Sequence, residues 1–254
     1  MILAIDIGNT HTTFGLFKGR RLVRTFVVPT QAWRSGRGPR LGLKAEEAII
    51  CSVVPWATPM VSKALRSLGV RRVKVVGRDV KVPLKNRYRY PRQVGQDRLV
   101  GAYAALKMYK RDCIVCDFGT AITIDIVKAG RRVGSHSRLD TRHSTLAGEY
   151  LGGVIAPGLG ISLEALATWT ALLPKVELRE PPDLLGRDTA NSIRSGVLYG
   201  TAALCDGLVG ALKRRYAPRA LVVATGGFSP LLAKYARTID RLRPHLVLEG
   251  LYSL

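Results

Sequence analysis

Hydrophobic positions along this chain change period repeatedly, and the changes divide it into strands and helices. Alternating and continuous runs of β-forming residues predict strands over residues 1–7, 11–18 and 21–28, a meander whose second turn is Lys18-Gly19-Arg20. Ala48-Ile-Ile-Cys-Ser-Val-Val54 reads as another strand, stopped by Pro55. A helix over about 56–68 leads from it to a strand at residues 73–76. The next helix covers about 98–110, with Leu99, Tyr103 and Leu106 marking its faces, and a second hairpin unit spans 113–127. Helices follow near 159–172 and 190–213, then a strand at 220–224, a helix near 229–236 and a last strand at 246–248. A strand meander joined to βαβ elements, twice over, predicts an α/β architecture of two domains, 1–111 and 112–254. No linker rich in Pro or Ser separates them, so the halves are expected to pack closely.

Two of the predicted strand ends carry the same device. Asp6-Ile-Gly8-Asn9-Thr10-His11-Thr12-Thr13 and Asp117-Phe-Gly119-Thr120-Ala-Ile-Thr123 both read Asp-x-Gly-x-x-x-Thr. Each sits between runs of β-formers, which puts an acid and a glycine turn at the mouth of a hairpin. A single Asp-x-Gly turn is an ordinary hairpin signal; its repetition suggests two similar halves facing a shared cleft that holds a phosphate chain and its cation. Turn amides and Thr hydroxyls donate to phosphate oxygens, while carboxylates hold a cation or its waters.

Composition narrows the class. The 254 residues suffice for a large core, and mean hydropathy of +0.09 with 47% apolar residues is that of a globular protein. The apolar runs are broken before about 18 residues, so no membrane span is expected, and the start lacks a secretory signal, which points to the cytoplasm. Cys51, Cys113, Cys116 and Cys205 are too scattered for a disulfide framework. Cys113-x-x-Cys116 invites a redox or zinc reading, but residues three apart in a strand point to opposite faces. Forty Lys and Arg against 18 Asp and Glu give a net charge of +22, concentrated at 34–40 and 131–143, and attractive to polyanions. A nucleic-acid surface also needs aromatic platforms, and beyond Trp33 there are few among the basic residues.

Two further segments bear on chemistry. No G-x-x-x-x-G-K-[ST] run occurs, which excludes a P-loop kinase as far as motifs go. Val222-Val-Ala-Thr-Gly226-Gly227 runs a strand into paired glycines, which permit close approach by a flat ligand such as adenine or ribose. Tyr88-Arg-Tyr-Pro-Arg-Gln-Val-Gly95-Gln96-Asp97-Arg98 leads directly into a helix. Spacing alone favours Asp97 as its N-cap. A carboxylate there can also accept the proton of a hydroxyl that attacks phosphorus, with an adjacent Arg holding an acidic substrate. The two roles are compatible.

Together these residues resemble one family. Asp6-x-Gly-Asn-Thr10, Tyr88-x-x-Pro91-x-x-x-Gly95-x-Asp97-Arg98, Asp117-x-Gly-Thr120-Ala, Gly152-Gly-x-Ile-x-Pro-Gly158, Gly186-x-x-Thr189, Thr225-Gly-Gly227 and Glu249-Gly-Leu251 occur in the order seen in type III pantothenate kinases. The resemblance runs from end to end. It implies the acetate and sugar kinase, Hsp70 and actin superfold, with two ribonuclease-H-like domains. It also implies a homodimer that transfers phosphate from ATP to pantothenate in the first step of coenzyme A synthesis. By position, Asp6 to Thr13 would line the ATP phosphates, Asp6 lying near Mg²⁺. Thr120, Gly226 and Gly227 would also meet ATP. Asp97 would be the general base, and Tyr88, Gly95, Gln96, Asp97, Arg98 and Thr189 would contact pantothenate. Asp117 would bind the monovalent cation, K⁺ or NH₄⁺, that the family requires.

Tyr90 stands where the family usually has Asn, and the chain is longer than usual between Lys128 and Gly152. The competing class is a non-catalytic relative, an accessory factor in transcriptional activation that binds nucleic acid or a regulator, which the +22 charge keeps in view. Retention of Asp6, Asp97 and Asp117 together separates kinase from regulator. A chaperone of the Hsp70 kind is excluded, since 254 residues leave no peptide-binding domain.

Overall fold

A computed structural model describes residues 1–35, 45–130 and 148–254. The basic run at 131–143, and the one at 34–40 beyond Ser35, lie outside the described residues. The chain forms two compact units. One is Met1–Lys110 with Val127–Leu151 and His245–Leu254; the other is Arg111–Ile126 with Gly152–Pro244. The chain therefore changes unit at 110/111, beside the boundary expected from the sequence, and three further times that a linear division does not contain.

The first unit is built on five strands, β1 (Ile2–Ile7), β2 (His11–Lys18), β3 (Arg21–Pro29), β4 (Glu47–Ser52) and β5 (Arg72–Val75), in the order β3-β2-β1-β4-β5. β1 pairs antiparallel with β2 and parallel with β4, so Asp6 faces Thr13 on one side and Cys51 on the other. Period-2 alternation splits the sheet residues between two cores. Leu3, Ile5, Ile7, Phe14 and Ile50 pack with Trp33 and with Val61 and Leu65 of α1 (Ala57–Ser67). Ala4, Phe17, Ile49 and Cys51 pack on the opposite face with Val100 of α2 (Gln96–Tyr109) and Val247, Leu248 and Leu251 near the C-terminus. Trp33 is 1% exposed and tilted against Phe14, so it is a core residue and no platform for bases. Burial of side chains of this size stabilises by roughly 1.5–3 kcal/mol each.

The second sheet has β6 (Leu84–Asn86), β7 (Cys113–Phe118), β8 (Ala121–Ala129), β9 (Gly148–Pro157), β10 (Leu221–Thr225) and β11 (Arg241–Leu242), in the order β11-β10-β7-β8-β9-β6. Around its second-unit strands lie α3 (Leu159–Trp169), α4 (Thr189–Arg215) and α5 (Ser229–Leu232). α4 is long and apolar enough to cross a membrane by length and composition, which the broken apolar runs of the sequence did not anticipate. Ile193, Val197, Leu198, Cys205 and Val209 are buried, and the helix packs on α3 and α5.

One expected element is wrong in type. Residues 246–248 are not a strand but the first turn of α6 (Leu246–Tyr252). A three-residue apolar run has no period of its own; Val247, Leu248 and Leu251 form a helical stripe against α2. Gly250 permits that contact, because a Cβ there would lie 2.7 Å from Val100 Cγ1.

Candidate active site

In the first unit the turn between β1 and β2 is closed by the Gly8 amide, which donates to His11 O at 2.9 Å. Asn9, Thr10 and His11 are exposed at its tip, and Asp6 and Thr13 are half-buried at its base. Thr12 is different: it is fully buried, with its hydroxyl 3.1 Å from that of Thr30. Thr30 in turn donates to Gly8 O at 2.7 Å. Thr12 and Thr30 thus brace the turn from inside, and the hydroxyl expected to meet phosphate at Thr12 is spent on that brace.

Asp97 lies on the first turn of α2, but as its second residue; Gly95 is the N-cap, with φ −58° and ψ 139°. The N-cap role that spacing favoured for Asp97 is therefore not the one it has. Its Oδ1 accepts the Arg98 amide at 2.8 Å. Gly95 makes room for it, since a Cβ there would stand 2.3 Å from Asp97 Oδ1. The Gln96 side chain lies against Gly77, where a Cβ would stand 3.1 Å from its Cδ. Asp6 and Asp97 come together electrostatically at Cys51: burial first, and then these two carboxylates, push the Cys51 thiol well above its ordinary range.

Tyr88 and Arg98, expected at the acceptor, rest on a strand pair that sequence reasoning missed. β6 and β9 run parallel with Asn86 opposite Tyr150. Asn86 Oδ1 accepts the Tyr88 amide at 2.9 Å, and the Tyr88 and Tyr150 rings lie 6.5 Å apart. The Arg98 guanidinium stands 5.9 Å above the Tyr150 ring.

In the second unit, β7 and β10 are parallel with Asp117 opposite Thr225. Gly226, at φ +90°, brings its backbone so close that a Cβ would lie 2.3 Å from Asp117 Oδ1. Gly227 and Thr120 are exposed beside this cradle. Gly158, the N-cap of α3, donates to Thr120 O at 3.2 Å and buttresses the turn. Thr189 is exposed as the first residue of α4, whose N-cap is Asp188. Asp188 Oδ1 accepts the Asn191 amide, and these bonds hold its carboxyl below the usual range. Cys113 and Cys116 act separately. Cys113 donates to Arg111 O and is pushed up to about 12 by burial, while Cys116 meets Cys205, 3.9 Å away.

The sequence pattern of type III pantothenate kinases matches residues 2–135 and 144–211. A type III pantothenate kinase from Syntrophotalea carbinolica is 36% identical over all of this chain and 98% of the relative; one from Rubrobacter xylanophilus is 38% identical over 100% and 97%. The chain belongs to the type III pantothenate kinase family. Residues 136–143, inside the long segment noted between Lys128 and Gly152, fall outside the family match.

Solved structures agree on the fold. A protein of Campylobacter jejuni assigned to the Baf family of transcriptional activators aligns with a TM-score of 0.59 and 19% identity over 99% of this chain and 96% of its own. A Sinorhizobium meliloti protein assigned as a 2-dehydro-3-deoxygalactonokinase aligns at 0.52 and 13% over 100% and 97%. These are likenesses of fold alone, and they place the chain in the two-domain sugar kinase and actin-like ATPase architecture. The first does not favour a regulatory role, because its identity is half that of the kinases.

Proposed function

We propose that this chain transfers the γ-phosphoryl group of ATP to the 4′-hydroxyl of pantothenate, giving ADP and 4′-phosphopantothenate, the first step of coenzyme A synthesis. The observation that carries the reading is the placement of two acids about Cys51: Asp6, opposite Cys51 in the β1–β4 register at the base of an exposed glycine turn, and Asp97, whose charge also acts on that thiol, in the first turn of α2 beside Arg98. Phosphoryl transfer depends mainly on alignment and charge neutralisation, and these are the groups for both.

In this reading the turn from Gly8 to Thr13 lies along the phosphates, with backbone amides and the Thr10 and Thr13 hydroxyls as donors. Asp97 takes the proton of the 4′-hydroxyl as its oxygen bonds to the γ-phosphorus and the bond to the ADP oxygen breaks. Arg98 and Tyr88 orient the acceptor, with Gly95 and Gln96 forming the backbone beside it and Thr189 as a further acceptor contact. Thr120, Gly226 and Gly227 lie against the nucleotide. Among the described residues no three His, Cys, Asp or Glu side chains converge to cage a metal. Asp6 fits a Mg²⁺ that takes its other ligands from phosphate and water, as this ion commonly does. Asp117, a half-buried carboxylate with the Gly226 backbone against it, would be the residue that holds a monovalent cation, K⁺ or NH₄⁺. Bound cations would neutralise charge that develops on the transferring group.

A cytoplasmic homodimer completes the proposal. Trp169 and Leu172 are 85% and 92% exposed, and Ile161 is exposed on the same helix as Trp169, an apolar surface of the kind that a second copy covers. ADP release coupled to NADH oxidation tests the activity, with pantothenate present or absent and K⁺ present or replaced by Na⁺. Pantothenate-dependent turnover stimulated by K⁺ is expected. Tight DNA binding without turnover under any cation would sink the proposal in favour of the regulator.

A further inference from the structure

Arg98 is in an electrostatically awkward place. It belongs to the first turn of α2, where the helix dipole favours anions such as Asp97 and disfavours a guanidinium. One side chain that meets its guanidinium there is Tyr150. The tyrosine is fully buried, with the guanidinium 5.9 Å over its ring, within the range of a cation–π contact. Its ring also tilts against Tyr88 at 6.5 Å.

Tyr150 is itself held by backbone. The Arg87 amide donates to Tyr150 O at 2.8 Å, and the Arg87 and Glu149 side chains pair at 2.6 Å across the same two strands. Asn86, opposite Tyr150 in register, fixes the Tyr88 amide and donates to Pro91 O at 3.3 Å. One buried ring thus touches both side chains assigned to the acceptor, while the segment that carries them is pinned to its strand. Being buried, the ring is closed to the acceptor; Tyr88 and Arg98, half-buried, are open to it.

We infer that Tyr150 is a positioning residue for the acceptor: its ring sets the angle of the Arg98 guanidinium and the Tyr88 ring, and so the affinity for the carboxylate end of the substrate. The inference rests on the proposed pantothenate reading. It concerns binding of the acceptor anion, so it separates from nucleotide binding and from proton transfer.

The test compares Tyr150→Leu and Tyr150→Phe by steady-state kinetics, with thermal melts to verify folding. Tyr150→Leu should raise KM for pantothenate by about 3- to 30-fold, the range of a cation–π contact, while KM for ATP and kcat stay within about twofold. Tyr150→Phe, which keeps the ring, should restore KM. With the neutral alcohol analogue of pantothenate as acceptor, Tyr150→Leu should have little effect on KM. Should Tyr150→Leu fail to fold, Tyr150→Met, a flexible filler without a ring, takes its place. An unchanged KM in the ringless variant, equal rises for ATP and pantothenate, or an equal rise with the neutral acceptor would each overturn the inference. Wild-type protein without pantothenate-dependent turnover would instead overturn the reading on which it rests.

Discussion

The two Asp-Gly turns differ by one residue, and that difference reassigns their threonines. Gly8, Asn9 and Thr10 connect β1 to β2, whereas Gly119 and Thr120 alone connect β7 to β8. Counting along the motif pairs Thr12 with Thr123. Counting from the start of each following strand pairs Thr13 with Thr123, both half-buried, and Thr12 with the buried Ile122. Period-2 alternation makes the second pairing the physical one, since a one-residue slip moves a side chain to the other face of a strand. The neighbourhoods differ too. Asp6 shares its influence on the Cys51 thiol with a second carboxylate, Asp97, whereas Asp117 is pressed against the backbone of Gly226. Two acids acting on one thiol suit a multivalent ligand with cations of its own; a single acid suits a single small cation.

The comparison is broken most directly at the acids. Asp6→Asn should lower turnover by about 10²-fold or more, as loss of a carboxylate that holds the charge-neutralising Mg²⁺ does, at any monovalent cation. Asp117→Asn should chiefly abolish the difference between K⁺ and Na⁺. Equal losses with the same cation response would show that the turns share one role.

The glycines come next. Gly226→Ala combines a left-handed backbone with a clash at Asp117 Oδ1 and should destabilise by about 1–3 kcal/mol in denaturant titration, with K⁺ activation lost. Gly8→Ala, where a Cβ would stand 3.2 Å from His11 O, should cost less than about 1 kcal/mol. A reversed order would refute the cradle at Gly226. The threonines follow: Thr12→Val should cost about 0.5–1.5 kcal/mol of stability through the lost bond to Thr30, with ATP affinity little changed, while Thr13→Val should weaken ATP binding.

The smallest effect concerns Cys51. Its thiol is raised in the folded state, so the stability it contributes is fully present below the ordinary thiol pKa of about 8.5 and is lost as pH rises through the folded value. At pH 8 Cys51 should react with a disulfide reagent only as fast as the unit opens. Rapid labelling in the native protein would place it at the surface.

Much of this was legible in the chain. Asp6 and Asp117 follow runs of β-formers and precede glycine, so strand end and turn are written together. Asp97 stands where a helical period begins. What the sequence hid was long-range. Tyr150 acquires its role from β6, some sixty positions earlier, through a parallel pairing that no local pattern announces. Gly95 and Gly226 look like turn residues, and only the structure reveals that each admits a carboxylate. The run at 246–248 misled because three apolar residues fit either period until the contact with Val100 decides.

The central claim, that Asp97 moves the proton while other groups hold ATP, is tested most directly by Asp97→Asn, with turnover by ADP release and ATP affinity by calorimetry. The account predicts turnover lower by about 10²-fold or more with ATP affinity within about twofold of the parent. Unchanged turnover, or loss of ATP binding together with a lowered melting temperature, would contradict it.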